Sequence, residues 1–393
     1  MNALSALNTT NFVEQPALSA SEVLAGEERV SSSTQYKFTS LQTAKNDVHG
    51  IHTGQLVGCQ VYNPQDKVIA GFWLVTAAIE VALPRGANIH KLLRGTGIFE
   101  DAITHDLMIS INQYNALLTN VQAQTKGNDV GFLLGSALAT TWKTSPLFAL
   151  SSFDNTSDII RTLMSEQCFR WCMAPLVYNR QYELDEHLLW IPEATIPSEK
   201  LKIFTLEIIF SCLFSLLKQI TGQRVPLMFT FNTSRPRNIA DFETHLGLRV
   251  SFNQPVTGIW LNKAYFDTAS DVSVDKQKSA HEQTSTLRQG MSLTDFVRSN
   301  VFSNVNCGLA DIAEYLGVST ATLKRKLKEH GTNYRLLSEE VMRNKAIVLL
   351  SLQKLTNEQA SAQMDMSDLP NFRRTIKRLT GKTPSELRTI SNC

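Results

Sequence analysis

The chain has 393 residues, and its 38 Lys and Arg against 36 Asp and Glu give a net charge of +2. This length allows two or three domains, and six scattered cysteines exclude the disulfide framework of a small secreted protein. The charge is unevenly divided: residues 291–393 hold 15 Lys and Arg against 10 Asp and Glu, a net +5, while the remainder is at −3. The acidic remainder is not expected to bind nucleic acid on its own.

The N-terminal segment, residues 1–40, is rich in Ser, Thr, Ala and Glu and is predicted to be disordered. It lacks a basic start followed by an apolar core, so no export signal is expected and a cytoplasmic location is predicted. The most apolar run, Phe204–Leu217, is too short to span a bilayer and contains Glu207. It is predicted to be a buried helix, and no membrane association is expected.

Residues 45–267 mix helical and strand patterns, which predicts an α+β domain. The predicted helices are Phe72–Leu83, His105–Thr119 and Ser157–Met164. The predicted strands are Leu188–Ile191, Val225–Asn232 and Thr257–Leu261.

No motif in this region indicates catalysis, a cofactor or a metal. Gly95-Thr96-Gly97 is a fragment of a phosphate loop without the third glycine or the following lysine. No nucleophile or zinc-protease signature occurs, so an enzyme is not expected. Cys168 and Cys172 are four residues apart and can share a helical face, which leaves a redox or metal role open beside ordinary core packing.

Some polar and aromatic side chains of this region are candidates for lining a small-molecule pocket, because such sites are apolar with a few placed polar groups. For any one of them taken alone, a surface charge or a core aromatic is the favoured explanation. The candidate effector-binding residues are Trp73, Arg94, Glu100, Arg170 and Trp171.

Residues 268–290 are predicted to be a solvated linker, since Thr268–Gln289 has no aromatic residue and few large apolar ones. Ser292 with Asp295 then predicts the start of a helix that leads into a domain over residues 291–393.

The first helix-turn-helix pattern of that domain lies around Leu309–His330. Apolar residues at 309, 312, 313 and 316 mark one buried helical face, and Gly317 supplies the left-handed position that ends the helix. Ser319 is the predicted N-cap of the next helix, which buries Leu323 and Leu327.

The opposite face of this second helix is cationic, as a helix in the major groove requires, because Arg and Lys neutralise phosphates and Arg contacts guanine. A basic run in an isolated helix would indicate only a solvated face. Here the helix follows the tight turn at Gly317, and this arrangement favours DNA recognition. The predicted DNA-contacting residues are Ser319, Thr320, Ala321, Lys324, Arg325 and Lys328.

A second such pattern covers Thr356–Leu379, with a capping box at Thr356 and Gln359. Ser367 is the predicted cap of its second helix, although Pro370 removes a backbone N–H that Ser367 would bind. Phe372, Ile376 and Leu379 form the predicted buried stripe. The predicted DNA-contacting residues here are Asn371, Arg373, Arg374, Lys377 and Arg378.

Two stretches carry a family resemblance: IAEYLGVSTATLKRKLKEHGTNYRLL (Ile312–Leu337) and SDLPNFRRTIKRLTGKTPSELR (Ser367–Arg388). They resemble the AraC/XylS family of bacterial transcription regulators. The resemblance implies one long helix, Tyr334–Gln353, joining the two units; about 20 residues make roughly 30 Å, close to the spacing of about 34 Å between successive major grooves.

The upstream region is similar to the effector-sensing domain of the ornithine-utilisation branch of that family, a domain of the arabinose-binding type. The stretches that carry this similarity are Leu92–Ile103, Ile109–Leu118, Asp129–Leu138 and His245–Asp267. The chain departs from the family at Met364-Asp365-Met366, where a Leu-Gly-aromatic turn is usual; Asp tolerates the left-handed conformation, so the turn is expected to be kept.

The resemblance implies a regulator that binds double-stranded promoter DNA, contacts RNA polymerase, responds to an unknown small-molecule effector and allows a homodimer. Two alternatives remain open at this point. In one, the N-terminal domain binds a protein partner and no metabolite; in the other, a metabolic enzyme carries a fused DNA-binding tail.

Overall fold

In the computed structural model of the protein, the described residues are 60–144, 156–164, 177–194, 198–265 and 290–390, with Leu150, Phe153 and Ile196. The segment 1–40, the linker up to residue 289, the residues Arg170 and Trp171, and the pair Cys168 and Cys172 lie outside them.

Helices and short strands alternate in the N-terminal part. In chain order the elements are β1 (Gln60–Tyr62), β2 (Ile69–Ala70), α1 (Phe72–Ala82), α2 (Ile89–Leu93), β3 (Met108–Ile109), α3 (Ile111–Gln124), α4 (Val130–Thr140), α5 (Thr156–Met164), β4 (Val177–Glu183), β5 (His187–Ala194), α6 (Glu199–Thr221), β6 (Met228–Thr230), α7 (Ile239–Leu246), β7 (Val250–Ser251) and β8 (Gly258–Asn262).

The C-terminal part is helical after one short strand. Its elements are β9 (Gly290–Ser292), α8 (Leu293–Ser303), α9 (Leu309–Tyr315), α10 (Thr320–Glu329), α11 (Tyr334–Ile347), a π-helical turn (Val348–Leu352), α12 (Asn357–Gln363), α13 (Leu369–Thr380) and α14 (Pro384–Arg388). We call α9 with α10 the first helix pair, and α12 with α13 the second helix pair.

Helices α4 and α6 pack most closely in the N-terminal part, and glycine makes this approach possible. A Cβ atom at Gly135 would lie 2.1 Å from the carbonyl oxygen of Ile208, a separation that real Cβ atoms do not show. Ser211 of α6 donates a hydrogen bond to the carbonyl of Phe132 at 2.9 Å across the same contact. The two helices therefore meet backbone to backbone.

Helix α6 is the one described helix long and apolar enough to cross a membrane, but two thirds of its most apolar window is buried inside the protein. Ser198 caps its start by accepting from the Leu201 N–H, and Gly222 ends it in the left-handed region at φ 68°. The expectation of a buried core helix over Phe204–Leu217 is confirmed, and the helix extends beyond that run at both ends.

A five-stranded sheet with the order β4-β5-β8-β6-β7 covers this helical layer. Its pairings are antiparallel except for β6 with β7. The apolar residues of the sheet and of helices α1, α3, α4 and α6 form one hydrophobic core. The N-terminal part is therefore a mixed α and β structure, and the C-terminal part is helical.

The two parts are in contact at several places among the described residues, and two of these contacts involve strands. β1 pairs in parallel with β9, so that Val61 is opposite Met291. The outer face of the sheet contributes Leu189 and Ile191 to an apolar cluster with Val348 of the π-helical turn. The sheet of the N-terminal part thus packs directly on the helix that lies between the two helix pairs.

Buried charges lie close to this contact. Arg180 of β4 forms an ion pair with Glu193 of β5 at 3.1 Å, and both side chains are buried. The guanidinium of Arg180 also lies 4.2 Å from the ring centre of Phe302 in α8. Burial raises the pKa of Glu193, while the charge of Arg180 opposes that rise.

Several predicted elements are confirmed and others need correction. The helices predicted at Phe72–Leu83 and Ser157–Met164 are present within a residue. The helix predicted at His105–Thr119 instead begins at Ile111, because Ser110 and Gln113 form a capping box there. The strand predicted over Val225–Asn232 is only Met228–Thr230.

Candidate nucleic-acid interface

The first helix pair has a buried side and an exposed basic side. Ser319 caps α10 by accepting from the Thr322 N–H at 3.1 Å, as predicted, and Gly317 adopts a φ of 62° in the turn before it. Leu323 and Leu327 are fully buried. The predicted DNA-contacting residues of this pair are all exposed: Ser319, Thr320, Ala321, Lys324, Arg325 and Lys328.

Arg325 is not free in this arrangement. Its Nη1 atom lies 2.6 Å from an oxygen of Glu329, one turn further along α10. Both side chains are at the surface, where such a pair contributes only a few tenths of a kcal/mol, on the order of 0.5 kcal/mol. Arg325 can therefore exchange this carboxylate for a phosphate or a base at little cost.

A buried ion cluster joins α8 to α11, the helices that precede and follow the first helix pair in the chain. Arg298 of α8 is 1% exposed, and its Nη2 atom lies 2.8 Å from Glu340 of α11. Burial alone would lower the pKa of Arg298, but the nearby carboxylates of Glu340, Asp295 and Glu193 outweigh it and the pKa is raised. The cluster fixes α8 against the middle of α11.

The second helix pair keeps its turn but changes its cap. Asp365 adopts φ 50°, which confirms that Asp takes the left-handed position expected in this turn. The sequence predicted Ser367 as the cap of α13, and this prediction is wrong. The cap is Asp368, which accepts a hydrogen bond from the Asn371 N–H at 3.2 Å. The physical reason is that the third residue after Ser367 is Pro370, which has no N–H to donate.

Helix α13 separates its residues as α10 does. Phe372 and Ile376 are fully buried, and Leu379 is 6% exposed. Thr383 and Glu386 form a capping box that starts α14. The predicted DNA-contacting residues of this pair are again all exposed: Asn371, Arg373, Arg374, Lys377 and Arg378.

Helix α11 contributes residues to this surface that the sequence reasoning missed. Glu339 lies 3.1 Å from the Nε atom of Arg335 and also binds Arg378 of α13. Arg343 donates to the carbonyl of Leu379 at 2.7 Å, at the end of α13. The i, i+4 spacing of 335 and 339 was a visible signal, but their position beside α13 depends on tertiary packing.

Three of the candidate effector-binding residues lie among the described residues. Arg94 and Glu100 are exposed, and Trp73 is half-buried in α1 beside the ring of His105. Within the described residues no group of three His, Cys, Asp or Glu could hold a metal ion. A shallow cleft of about 270 Å³ lies elsewhere, lined by residues that include Phe214, Arg224 and Arg249.

Comparison with known protein families matches both parts of the chain. Residues 312–390 match the model described as a helix-turn-helix domain, and residues 86–270 match the arabinose-binding domain of AraC transcription regulators. A helical domain of this type, with two exposed basic helices, defines the class as a helix-turn-helix transcription regulator. The chain is thus similar to AraC transcription regulators over residues 86–270, and a helix-turn-helix domain follows that region.

Individual relatives agree with this family. The ornithine utilization regulator of Pseudomonas aeruginosa is 22% identical over 289 residues, which is 71% of this chain and 84% of that protein. An HTH-type transcriptional regulator of Mycobacterium bovis, and one of Mycobacterium tuberculosis, are 34% identical over 96 residues. The match spans 24% of this chain and 28% of the length of each mycobacterial protein.

Among solved structures, the transcriptional regulator CdpR from Pseudomonas aeruginosa aligns with 81% of this chain and 98% of its own at 15% identity, with a TM-score of 0.35. No conclusion rests on an alignment with so low a score. Proteins of this family are transcriptional regulators, a class whose members are generally not enzymes.

Proposed function

We propose that the protein is a cytoplasmic bacterial regulator that binds promoter DNA sequence-specifically through two helix-turn-helix units, formed by the first and second helix pairs. In this proposal residues 291–393 form the DNA-binding domain and residues 45–267 bind a small-molecule effector, with residues 268–290 as the linker. RNA polymerase is the partner on the promoter, and a homodimer is the proposed assembly.

The observation that carries this proposal is the division of α10 and α13 into two sides. Eleven residues predicted to contact DNA are all exposed, while the leucines and aromatics between them are buried. A solvated surface helix also exposes its charges, but here each basic helix follows a tight turn after another helix, which is the geometry of recognition helices.

Helix α11 and the π-helical turn after it form the connecting helix between the two helix pairs. Its length supports binding of the two pairs to two successive major grooves at the same time. Helix α11 and the π-helical turn together run from Tyr334 to Leu352. At about 1.5 Å per residue this is roughly 28 Å, and successive major grooves on one side of DNA are about 34 Å apart. One protomer would then read a bipartite site.

Effector control requires that the ligand binds one arrangement of the protein better than another. The packing of Leu189 and Ile191 on Val348 gives the N-terminal sheet a direct contact with the helix between the two reading units. A ligand-induced shift in the sheet would change the relative orientation of these units. The proposal for effector control rests on this contact.

Binding of labelled duplexes by the full chain tests the DNA-binding function. A site is first selected from a random duplex pool, and affinity is then measured by fluorescence anisotropy. Arg325→Glu and Arg374→Glu are expected to reduce affinity at least about 100-fold, because each replaces an attraction with a repulsion at the phosphates. Their melting temperatures should stay near that of the wild type, since both side chains are exposed.

The matched control is Arg237→Glu, which makes the same charge change at an exposed arginine of the N-terminal part. It should leave affinity almost unchanged. Equal affinity of wild type, Arg325→Glu and Arg374→Glu for the selected site would refute the assignment of both helices.

Thermal shift of the full chain against amino acids, sugars and fatty acids tests the effector. A ligand raises the free energy of unfolding by RT ln(1 + [L]/Kd). A saturable stabilisation by one compound supports effector binding. Stabilisation only by a protein partner favours the alternative, in which the N-terminal domain is a protein-interaction module, and turnover of a stabilising compound would favour an enzyme.

A further inference from the structure

We propose that Arg335 of the connecting helix and Arg378 of α13 form a phosphate-binding pair, and that Glu339, which binds both, reduces their attraction for DNA of any sequence. This inference rests on the proposed DNA-binding function. It adds a backbone contact from the helix between the two reading units and assigns Glu339 a role in selectivity.

The three side chains meet at the surface. Arg335 donates from Nε to Oε1 of Glu339 at 3.1 Å, and Arg378 donates from Nη1 to the same oxygen. The arginine side chains are 79% and 54% exposed, while that of Glu339 is only 21% exposed. The carboxylate therefore lies beneath two guanidinium groups that face solvent.

The cluster extends the basic stripe of α13. Arg378 lies seven residues after Asn371 and four after Arg374, so these three share one side of the helix. Arg343, one turn after Glu339 on α11, binds the carbonyl of Leu379 and fixes the end of α13 against α11. Arg335 consequently lies beside the stripe, on a different helix.

The charge and the unused donors both suit a phosphate. Two guanidinium groups and one carboxylate leave a net charge of +1, and each guanidinium has five N–H donors, most of which are not used by Glu339. Arg378 and then Arg335 lower the pKa of Glu339, so the carboxylate stays ionised at neutral pH. It competes with DNA phosphates for the two arginines.

The competition between Glu339 and DNA phosphates predicts the direction in which each substitution changes DNA affinity. Exposed ion pairs are weak, so a phosphate can replace the carboxylate, but the negative charge remains near the duplex and opposes binding. Removal of an arginine should therefore weaken binding to any sequence, whereas removal of the carboxylate should strengthen it. A purely structural link between α11 and α13 would give weaker binding in both cases.

The experiment measures affinity of the full chain for a fluorescein-labelled pool of random duplexes of about 40 base pairs, across a range of salt concentrations. Arg335→Gln is expected to lower affinity about 3- to 10-fold and to reduce the slope of log K against log salt by about 1. Arg335→Lys keeps the charge and should restore the slope.

Glu339→Gln is expected to raise affinity for the same pool about 3-fold. Glu243→Gln is the charge-matched control, because it removes an exposed carboxylate of α7, outside both helix pairs, that forms no ion pair with the described residues. Its effect should be smaller. Melting temperatures of all variants identify any that fail to fold.

Each outcome bears on one proposal. Wild-type affinity and slope in Arg335→Gln, or weaker binding by a folded Glu339→Gln, would overturn the phosphate pair while leaving the proposed function intact. Absence of salt-dependent binding by the wild type to any duplex would refute the proposed function itself.

Discussion

The carboxyl group of Glu207 gives a quantitative prediction about the N-terminal part. Burial in α6, and secondly the charge of Asp241, raise the pKa of Glu207 to about 8 from its ordinary value of 4.5. The site is tight, since a Cβ atom at Gly131 would lie 2.5 Å from its Oε2 atom. The folded protein therefore holds Glu207 in its neutral form at pH 7.

The sign of the effect follows from proton linkage. Below about pH 4.5 both the folded and the unfolded chain carry the proton, so Glu207 contributes its full stabilisation. Between about pH 4.5 and 8 only the unfolded chain ionises, and the free energy of unfolding falls by about 1.4 kcal/mol per pH unit. The total loss over this pH range is roughly 5 kcal/mol.

Glu207→Gln removes this titration while keeping the shape of the side chain. Chemical denaturation of wild type and variant at about pH 5, 7 and 9 should show similar stability at the lowest pH and a growing advantage of the variant above it. Glu243→Gln, an exposed carboxylate of α7, is the control and should follow the wild type. Parallel stability curves for Glu207→Gln and wild type would refute the reasoning.

Four further substitutions test helix packing and helix capping. Leu323→Ala should lower the free energy of unfolding by about 2–5 kcal/mol and weaken DNA binding, since Leu323 is fully buried beneath the basic side of α10; denaturation and anisotropy measure the two effects. Asp368→Ala should cost about 1 kcal/mol as the loss of a helix cap, whereas Ser367→Ala should cost almost nothing in the same denaturation assay, and a reversed order would contradict the cap assignment. Gly135→Ala should lower the melting temperature by many degrees or prevent folding, because its Cβ would meet Ile208; a wild-type melting curve would show that α4 and α6 separate easily.

The sequence predicted best what depends on neighbouring residues. The caps at Ser319, Thr356 and Thr383 and the buried stripes of α10 and α13 were predictable, because capping and helical periodicity involve residues within a turn or two. The cap at Asp368 also depends only on nearby residues, because Pro370 has no N–H that Ser367 could bind.

What was missed depends on contacts between distant residues. The pairing of β1 with β9 joins segments more than 220 residues apart, and neither strand has a pattern long enough to detect. The ion pairs of Arg180 with Glu193 and of Arg298 with Glu340 were likewise invisible, because charged residues are ordinarily assigned to the surface. The effector candidates were selected by residue type alone, and type does not determine which side chains share a cavity.

The π-helical turn at Val348–Leu352 has a geometric consequence for the whole regulator. Its characteristic bond runs from the Gln353 N–H to the Val348 carbonyl at 2.9 Å, so this turn contains one residue more than an ordinary α turn. If the π-helical turn became a regular α turn, the second helix pair that follows it would rotate by about 100° around the helix axis. The rotation of the second helix pair relative to the first is thus set by a single residue, at the point where the N-terminal sheet contacts this helix.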